Sequence, residues 1–166
     1  MNSLRYIICD TPDGDLVLII DSEDIVIASG FGPVEDLVRR LPADVGQFEL
    51  SRIRGHRYEG LVGEYYAGDK QALGQIPYRV VGSDFQVAVW SEMAKIPYGQ
   101  TVSYAELAKS SGSPGASRAI GTVCGSNRLI LLVPCHRVIK LNGEMGEYLY
   151  GRRLKQSLLS REGVAL

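Results

Sequence analysis

The segment on which the chain is organised is LILLVPCHRVI, residues 129–139. Its first five residues are apolar without interruption, which predicts a fully buried run. Pro134 ends that run, because proline has no N–H and favours extended backbone in the residue before it. A thiol, an imidazole and a guanidinium follow at Cys135, His136 and Arg137, and the apolar pattern then resumes. Burying such groups without a purpose costs free energy, so the pattern indicates a cysteine activated as a nucleophile.

A buried structural cysteine is the alternative interpretation, since unreactive cysteines are common in protein cores. We assign that structural role to Cys9 and Cys124, while the neighbouring His136 and Arg137 favour the nucleophile for Cys135. The three cysteines show no CxxC spacing and are accompanied by only two histidines. We therefore expect reduced thiols, as in a cytoplasmic protein, and no metal site.

The composition limits the class of protein. A chain of 166 residues that is 45% hydrophobic and 22% charged is typical of a soluble globular protein with one domain or two small ones. No apolar run approaches the ~20 residues that span a bilayer, and the start of the sequence lacks a signal-peptide pattern. We expect no association with a membrane.

Charge is distributed unevenly along the chain. Residues 1–82 carry 8 basic and 13 acidic side chains, a balance of −5, whereas residues 83–166 carry 10 basic and 6 acidic, a balance of +4. The basic half suggests an anionic partner such as nucleic acid. Ordinary scatter of surface charge explains the same numbers, and on charge alone we prefer that explanation.

The N-terminal half predicts a small α/β domain. Turn residues separate three apolar segments, which predicts a β-meander with strands over 4–9, 16–20 and 25–28. Helices are predicted over 33–40 and 56–66 from a proline suited to the first turn and from helical spacing of apolar residues. Gly82-Ser83-Asp84 breaks the pattern, so we predict two domains, 1–82 and 83–166. The first is expected to be a small antiparallel sheet with helices.

The C-terminal half predicts a mainly α domain of the winged helix-turn-helix type. Ser103 is a good N-cap, and Glu106 three residues later completes a capping box. Helices are predicted over 84–95, 103–110, 115–125 and 152–161. The second and third are joined by a short glycine-containing turn, an arrangement that in DNA-binding proteins places the later helix in a groove. A hairpin-like turn at 140–143 is expected to form a short wing.

The motif from Pro134 to Val138 resembles the active-site signature of the O6-alkylguanine-DNA alkyltransferases, the methylated-DNA–protein-cysteine methyltransferases. Further residues fall at the spacing of that family, most densely after residue 83. They include Ser83 to Gln86, Ile96 to Gly99, Ser103, Tyr104, Arg118 to Gly121, Asn127, Gly146, Tyr148, Lys155 and Glu162. The N-terminal half matches less closely, at Thr11 to Gly14 and Tyr66 to Gly68.

This resemblance implies a DNA repair protein. It would move the alkyl group of O6-alkylguanine, with O4-alkylthymine as a further candidate substrate, irreversibly to its own Cys135 in one in-line displacement. The base would be flipped out of the duplex, because the reaction cannot occur inside the stack. The resemblance further implies a single-turnover transferase without cofactor, acting on double-stranded DNA as a monomer in the cytoplasm.

The resemblance also implies roles for individual residues. Cys135 is the nucleophile, His136 its base through a water molecule, and Glu162 the group that orients His136. Tyr104 donates to the flipped base, and Lys155 lies near the site. A bridging water molecule also follows from the sequence itself. Adjacent residues in extended backbone point to opposite sides, so Cys135 and His136 would not contact each other directly. The structural alternatives are a core tyrosine for Tyr104, a helix-end charge for Glu162 and a solvated lysine for Lys155.

Two further sets of residues follow from the same resemblance. The DNA-binding set is Arg118, which would fill the space left by the base, together with Ala119, Ser103, Gly121 and Asn127. The substrate-pocket set is Val138, Tyr148, Leu149 and Met145, and the carbonyls of Cys135 and Val138 would accept from the guanine amine. A cation at a helix N-terminus opposes the helix dipole, so an external anion suits Arg118 better than a structural role.

The sequence departs from the family in the loop expected to cover the alkyl pocket. Many bacterial relatives have glycine where this chain has Glu147, and Tyr150 replaces a common tryptophan. A carboxylate near a thiolate would raise the pKa of the thiol unless it points to solvent. A non-catalytic reader of alkylated DNA is therefore the alternative function, although such proteins lack the acceptor cysteine. A regulator fused to another module and a cysteine hydrolase are less well supported.

Overall fold

The structure is a computed structural model that describes residues 1–166. The strands are β1 (Asn2–Thr11), β2 (Gly14–Ile20), β3 (Val26–Phe31), β4 (Phe48–Arg52), β5 (Val102–Ser103) and β6 (Val138–Ile139). The helices are α1 (Val34–Val38), α2 (Arg57–Tyr66), α3 (Asp84–Met93), α4 (Tyr104–Ser110), α5 (Ser117–Gly125) and α6 (Arg152–Arg161). Internal contacts divide the chain into residues 1–81 with 128–132 and residues 82–127 with 133–166.

The N-terminal unit is built on a four-stranded sheet of order β3-β2-β1-β4. β1 pairs antiparallel with β2, and β2 pairs antiparallel with β3, which confirms the predicted meander. β4 lies at the edge and runs parallel to β1, so the sheet is mixed and not wholly antiparallel as predicted. The sequence pattern missed β4 because this short edge strand has no fully buried residue, and its partner lies far away along the chain.

The predicted buried run 129–133 is confirmed, and its first four residues belong to this N-terminal unit. Ser29 of β3 holds it: the backbone N–H donates to the Arg128 carbonyl at 2.8 Å, and Oγ donates to the Ile130 carbonyl at 2.7 Å. Leu131 adopts a positive φ of 74°, which is unfavourable for a side chain with a Cβ. The run is therefore a buried turn and not a strand. The division of the chain into domains 1–82 and 83–166 remains a prediction.

The C-terminal unit is mainly helical, as predicted. Its complete capping box lies at α3, where Ser83 and Gln86 each accept a hydrogen bond from the other's backbone N–H. The predicted capping box of Ser103 and Glu106 is only half formed: Ser103 caps α4 by accepting from the N–H of Glu106 at 3.0 Å, without the return bond from the Glu106 side chain. α4 packs against α5 to form the helix-turn-helix pair. The only sheet in this unit is a parallel ladder of β5 with β6, which joins the start of α4 to the end of the PCHRV motif.

None of the helices is long and apolar enough to cross a membrane.

Candidate active site

The backbone turns sharply at the reactive motif. Pro134 has φ −83° and ψ 65°, the conformation of an inverse γ-turn, and the Cys135 N–H donates to the Val133 carbonyl at 2.9 Å. Residues Cys135–Arg137 then form one turn of 3₁₀ helix. The prediction of extended backbone here is wrong. The proline ring restricts φ at Pro134, and its ψ takes the value at which the hydrogen bond of the γ-turn forms. The three reactive side chains therefore leave the backbone from one tight turn.

His136 and Arg137 converge on one carboxylate. The His136 Nε2 lies 2.8 Å from Oε2 of Glu162, and both side chains are inaccessible to solvent. Arg137 donates from Nε to Oε1 at 2.7 Å and from Nη2 to Oε2 at 3.0 Å, and its Nη1 donates to the Ile96 carbonyl at 2.7 Å. The backbone N–H of Gly99 adds a fourth donor to Glu162 at 3.4 Å. This buried charge is thus held by charge-assisted bonds in a fixed geometry.

The hydrogen bonds determine which nitrogen of His136 can act as a base. Burial alone would raise the pKa of Glu162, but the bonds from His136 and Arg137 hold that pKa well below its ordinary value. An ionised carboxylate only accepts, so Nε2 carries the proton and donates to it. Nδ1 is buried and has no hydrogen-bond partner within the chain. Burial also lowers the pKa of His136, so at neutral pH Nδ1 presents a lone pair.

Asn127 holds the thiol from the opposite direction. Its side chain is buried, and Nδ2 donates to the Val133 carbonyl at 2.8 Å and to the sulfur of Cys135 at 3.3 Å. An N–H donor directed at sulfur stabilises the negative charge of a thiolate. Asn127 therefore fixes both the position and the electrostatic surroundings of Cys135.

Cys135 opens into a cavity of about 680 Å³ within the C-terminal unit. One wall is a face of α5, and the other is the loop that precedes α6. The lining residues are Tyr104, Ser117, Arg118, Gly121, Thr122, Cys124, Gly125, Cys135, Lys140, Gly146, Glu147, Tyr148 and Leu149. A pocket of this size accepts a group as large as a nucleobase with its substituent.

Lys155 fastens the loop on one side of the cavity. Its side chain is fully buried, and Nζ donates to the carbonyls of Val138 at 2.6 Å and Glu147 at 3.0 Å. Burial lowers the pKa of Lys155 to about 8. Tyr104 lies beneath the ammonium group, with its ring centroid 5.7 Å from Nζ, and burial raises the pKa of Tyr104 to about 12. The phenol thus keeps its proton at neutral pH and remains a donor.

Comparisons with known proteins agree with this geometry. Residues 84–164 match the family model described as the DNA-binding domain of 6-O-methylguanine DNA methyltransferase. A methylated-DNA–protein-cysteine methyltransferase of Methanosarcina acetivorans is 34% identical over 96% of this chain and 99% of its own length. Another, from Shigella flexneri, is 44% identical over 103 residues, which span 62% of this chain and 60% of that protein. The chain belongs to the methylated-DNA–protein-cysteine methyltransferase family. Among solved structures, OGT of Mycobacterium tuberculosis in complex with DNA has a TM-score of 0.77 and 30% identity, covering 96% of this chain and 93% of that one.

The candidate DNA-binding residues of this methyltransferase lie in two kinds of position. Arg118, Ala119 and Gly121 are exposed on α5, and Arg118 and Gly121 also line the cavity. Ser103 is only 4% exposed and its hydroxyl caps α4, which gives that side chain a structural role. Asn127 is 1% exposed and contacts the active-site segment. A contact between DNA and either of these two side chains has no support in the geometry.

The candidate pocket residues also separate into two groups. Tyr148 and Leu149 line the cavity of the methyltransferase, whereas Val138 and Met145 do not. Val138 is fully buried in β6, so it can offer only its backbone carbonyl, one lone pair of which already accepts from Lys155. Met145 precedes the lining loop and is partly buried.

The Glu147 carboxylate is exposed to solvent. Its side chain is 78% exposed and pairs with Arg152 of α6 at 2.6 Å. The condition under which this carboxylate would not disfavour the thiolate is therefore met in the structure.

Three features of the site were not identified from the sequence. Arg137 and Gly99 share the binding of Glu162, and Cys124 lines the cavity. A signal for Cys124 was present, because residues 117, 121 and 124 recur at the three- and four-residue spacing of one helical face. No local signal identifies Gly99, since its contact with Glu162 joins distant parts of the chain.

Proposed function

We propose that this methyltransferase repairs double-stranded DNA by moving the alkyl group of O6-alkylguanine to the sulfur of Cys135. The observation that carries the proposal is the position of Cys135, which opens into a cavity beside α5, the second helix of the helix-turn-helix. Asn127 donates to the sulfur of Cys135, and the neighbouring His136 is paired with Glu162. A nucleophile, a base and a group that orients the base are the minimum set for such a displacement.

The proposed reaction balances without a cofactor. His136 Nδ1 takes the thiol proton through a water molecule, and the imidazolium formed is stabilised by Glu162. The thiolate attacks the alkyl carbon, so that a C–S bond forms as the bond from that carbon to O6 breaks. The electron pair stays with guanine, which receives a proton from water as the His136 imidazolium returns its proton to water, while the Tyr104 hydroxyl donates a hydrogen bond to the developing charge. The protein ends as a thioether, which explains a single turnover.

Access to the reacting carbon requires the base to leave the duplex. Arg118 is exposed at the second position of α5 and borders the cavity. In the proposal α5 enters a groove of DNA, Arg118 fills the space left by the base, and the base occupies the cavity. Unstacking a base costs a few kcal/mol, so an inserted side chain that compensates for this loss raises the fraction of flipped base.

The decisive experiment is the intact mass of the protein after incubation with a short duplex that carries one O6-methylguanine. The expected result is the gain of one methyl group per protein, which peptide mapping assigns to Cys135. Cys135→Ser should abolish the gain and retain binding to the duplex, whereas Cys9→Ser should react like the unaltered protein because Cys9 is buried in β1. Tight binding of the lesion without any gain in mass would instead support the alternative function, a reader of alkylated DNA.

The remaining parts of the proposal concern substrate range, oligomeric state and location. O4-alkylthymine is the further candidate substrate, tested in the same mass assay with a duplex that carries it. We also propose that the protein acts as a monomer in the cytoplasm. Sedimentation analysis of the protein, alone and bound to a short duplex, tests whether its molar mass is that of a monomer.

A further inference from the structure

Two cysteine thiols line the alkyl-transfer cavity, and the proposed reaction uses only one of them. Cys124 lies in the last turn of α5, and Cys135 lies in the 3₁₀ turn after Pro134. Neither cysteine is in a disulfide. The third cysteine, Cys9, is buried in β1 of the N-terminal unit.

Asn127 connects the two thiol-bearing segments. Its backbone N–H donates to the Cys124 carbonyl at 3.3 Å, while its side-chain Nδ2 donates to the sulfur of Cys135 at 3.3 Å. Two side chains of the site interact with both thiols: negative charge on either sulfur would raise the pKa of the buried Lys155 and of the half-buried Tyr104. Cys124 therefore faces the surroundings of Cys135 and does not face a separate part of the core.

We propose that Cys124 forms a reversible disulfide with Cys135 when the protein meets hydrogen peroxide. In the first step the Cys135 thiolate attacks one peroxide oxygen, an S–O bond forms, the O–O bond breaks and hydroxide leaves. In the second step the Cys124 thiol attacks the sulfur of the resulting sulfenic acid, an S–S bond forms and water leaves. The two thiols are oxidised by two electrons in total, and peroxide is reduced to two molecules of water.

A disulfide between Cys124 and Cys135 would protect the acceptor sulfur of a protein that can react only once. A sulfenic acid that persists is oxidised further to a sulfinic acid, which cellular thiols do not reduce. A disulfide stops that sequence and is opened again by thiol exchange. The disulfide requires the two Cβ atoms to lie about 4 Å apart. Cys124 is in the last turn of α5, and helix ends are among the segments that open most readily, so Cys124 can move to meet this requirement. Cys124 would thus preserve the alkyl-accepting sulfur during oxidation.

Trypsin separates the two cysteines, which makes the test direct. Cleavage after Arg118, Arg128 and Arg137 places Cys124 in peptide 119–128 and Cys135 in peptide 129–137. The full-length reduced protein is treated with hydrogen peroxide, blocked with N-ethylmaleimide under denaturing conditions and mapped with and without dithiothreitol. The expected result is a linked pair of these peptides, a loss of about 2 Da in the intact monomer for two hydrogens removed, and maleimide on Cys9 alone.

Two variants supply the controls. Cys9→Ser should still form the linked pair, whereas Cys124→Ser should accumulate sulfinic acid on peptide 129–137. After the same peroxide dose, dithiothreitol should restore methyl-accepting capacity to the unaltered protein but to about a tenth or less of Cys124→Ser, because thiols do not reduce sulfinic acid. Each capacity is expressed relative to the same variant before oxidation.

The proposal is overturned if the unaltered protein yields no linked pair while Cys135 reaches sulfinic acid as fast as it does in Cys124→Ser. A disulfide between two protein molecules, seen as a dimer on a non-reducing gel, overturns it as well. The peptide map of the unaltered protein requires no variant to fold. The inference goes beyond the proposed function, and the methyl-transfer assay on untreated protein tests that function separately.

Discussion

At the residue scale, the site depends on one buried carboxylate that two different side chains share. Glu162 accepts from His136 and Arg137 in a region without solvent. Its negative charge fixes the tautomer of the first and neutralises the second. Removing that charge leaves a buried guanidinium without its counter-ion, a loss that exceeds the value of an exposed ion pair.

Glu162→Gln is therefore expected to affect both stability and rate. We expect a loss of about 3–5 kcal/mol in the free energy of unfolding, as for other broken buried pairs, and a fall in the single-turnover rate of about 10²-fold or more because the base loses its orientation. Urea unfolding and methyl transfer under excess duplex measure the two effects. Glu92→Gln is the matched control, since that carboxylate pairs with the exposed Lys95 and should change stability by less than about 1 kcal/mol. Equal effects of the two substitutions would contradict the role of Glu162.

Arg118 allows a second test at the same scale, because the proposed function gives it a role in access to the base and not in the displacement itself. Arg118→Ala should slow repair of O6-methylguanine in a duplex by about tenfold or more, the effect of losing 1–2 kcal/mol in base opening. Reaction with the free base O6-benzylguanine should change little, since no duplex has to be opened. Lys95→Ala controls for the loss of one positive charge. Equal slowing on both substrates would remove Arg118 from the flipping role.

At the scale of elements, the start of α3 shows how a glycine can be required by packing. A Cβ added at Gly82 would lie 2.6 Å from Gln86 Oε1 and 2.8 Å from Trp90 Cζ3. Gln86 forms the capping box with Ser83, and Trp90 is 4% exposed in the core. Because Gly82 has no Cβ, the capping box and the buried Trp90 ring can pack next to each other.

Two glycine substitutions of opposite sign test this account. Gly82→Ala should lower the free energy of unfolding by about 1–3 kcal/mol, as overpacking does. Gly60→Ala should raise it by about 0.5–1 kcal/mol, because Gly60 is an exposed residue of α2 with nothing within 4 Å of an added Cβ. Both values come from urea midpoints on the full chain. A stabilised Gly82→Ala protein would refute the packing argument.

At the scale of the whole molecule, the buried titratable groups give stability a direction with pH. The ordinary pKa of histidine is 6.5, and burial lowers the pKa of His136. Below about pH 6.5 the unfolded chain consequently binds a proton that the folded chain does not. Glu162 acts in the same direction below its ordinary pKa of 4.5, because its folded pKa is also lowered. Stability therefore falls as the pH decreases.

We accordingly expect the free energy of unfolding to decrease from pH 7 to pH 5, with a slope of at most about 1.4 kcal/mol per pH unit for one proton. The urea midpoint decreases with it. His136→Gln should flatten this slope between pH 6.5 and 5, whatever its effect on stability at neutral pH. Midpoints that stay constant over this range would show that His136 does not stay neutral in the folded state.

The sequence by itself determined the family, the acceptor motif, the meander, the helix pair and the buried run, because each of these depends on local periodicity, turn chemistry or a short motif. Only the tertiary structure decided that β4 runs parallel to β1, since pairing between distant segments leaves no local pattern. It also decided the 3₁₀ turn at Cys135, the shared binding of Glu162 by Arg137 and Gly99, and the position of Cys124 on the cavity. Apart from the turn, whose hydrogen bond is local, these features arise where segments far apart in the chain meet, and there the packing of the core, not local preference, selects the geometry.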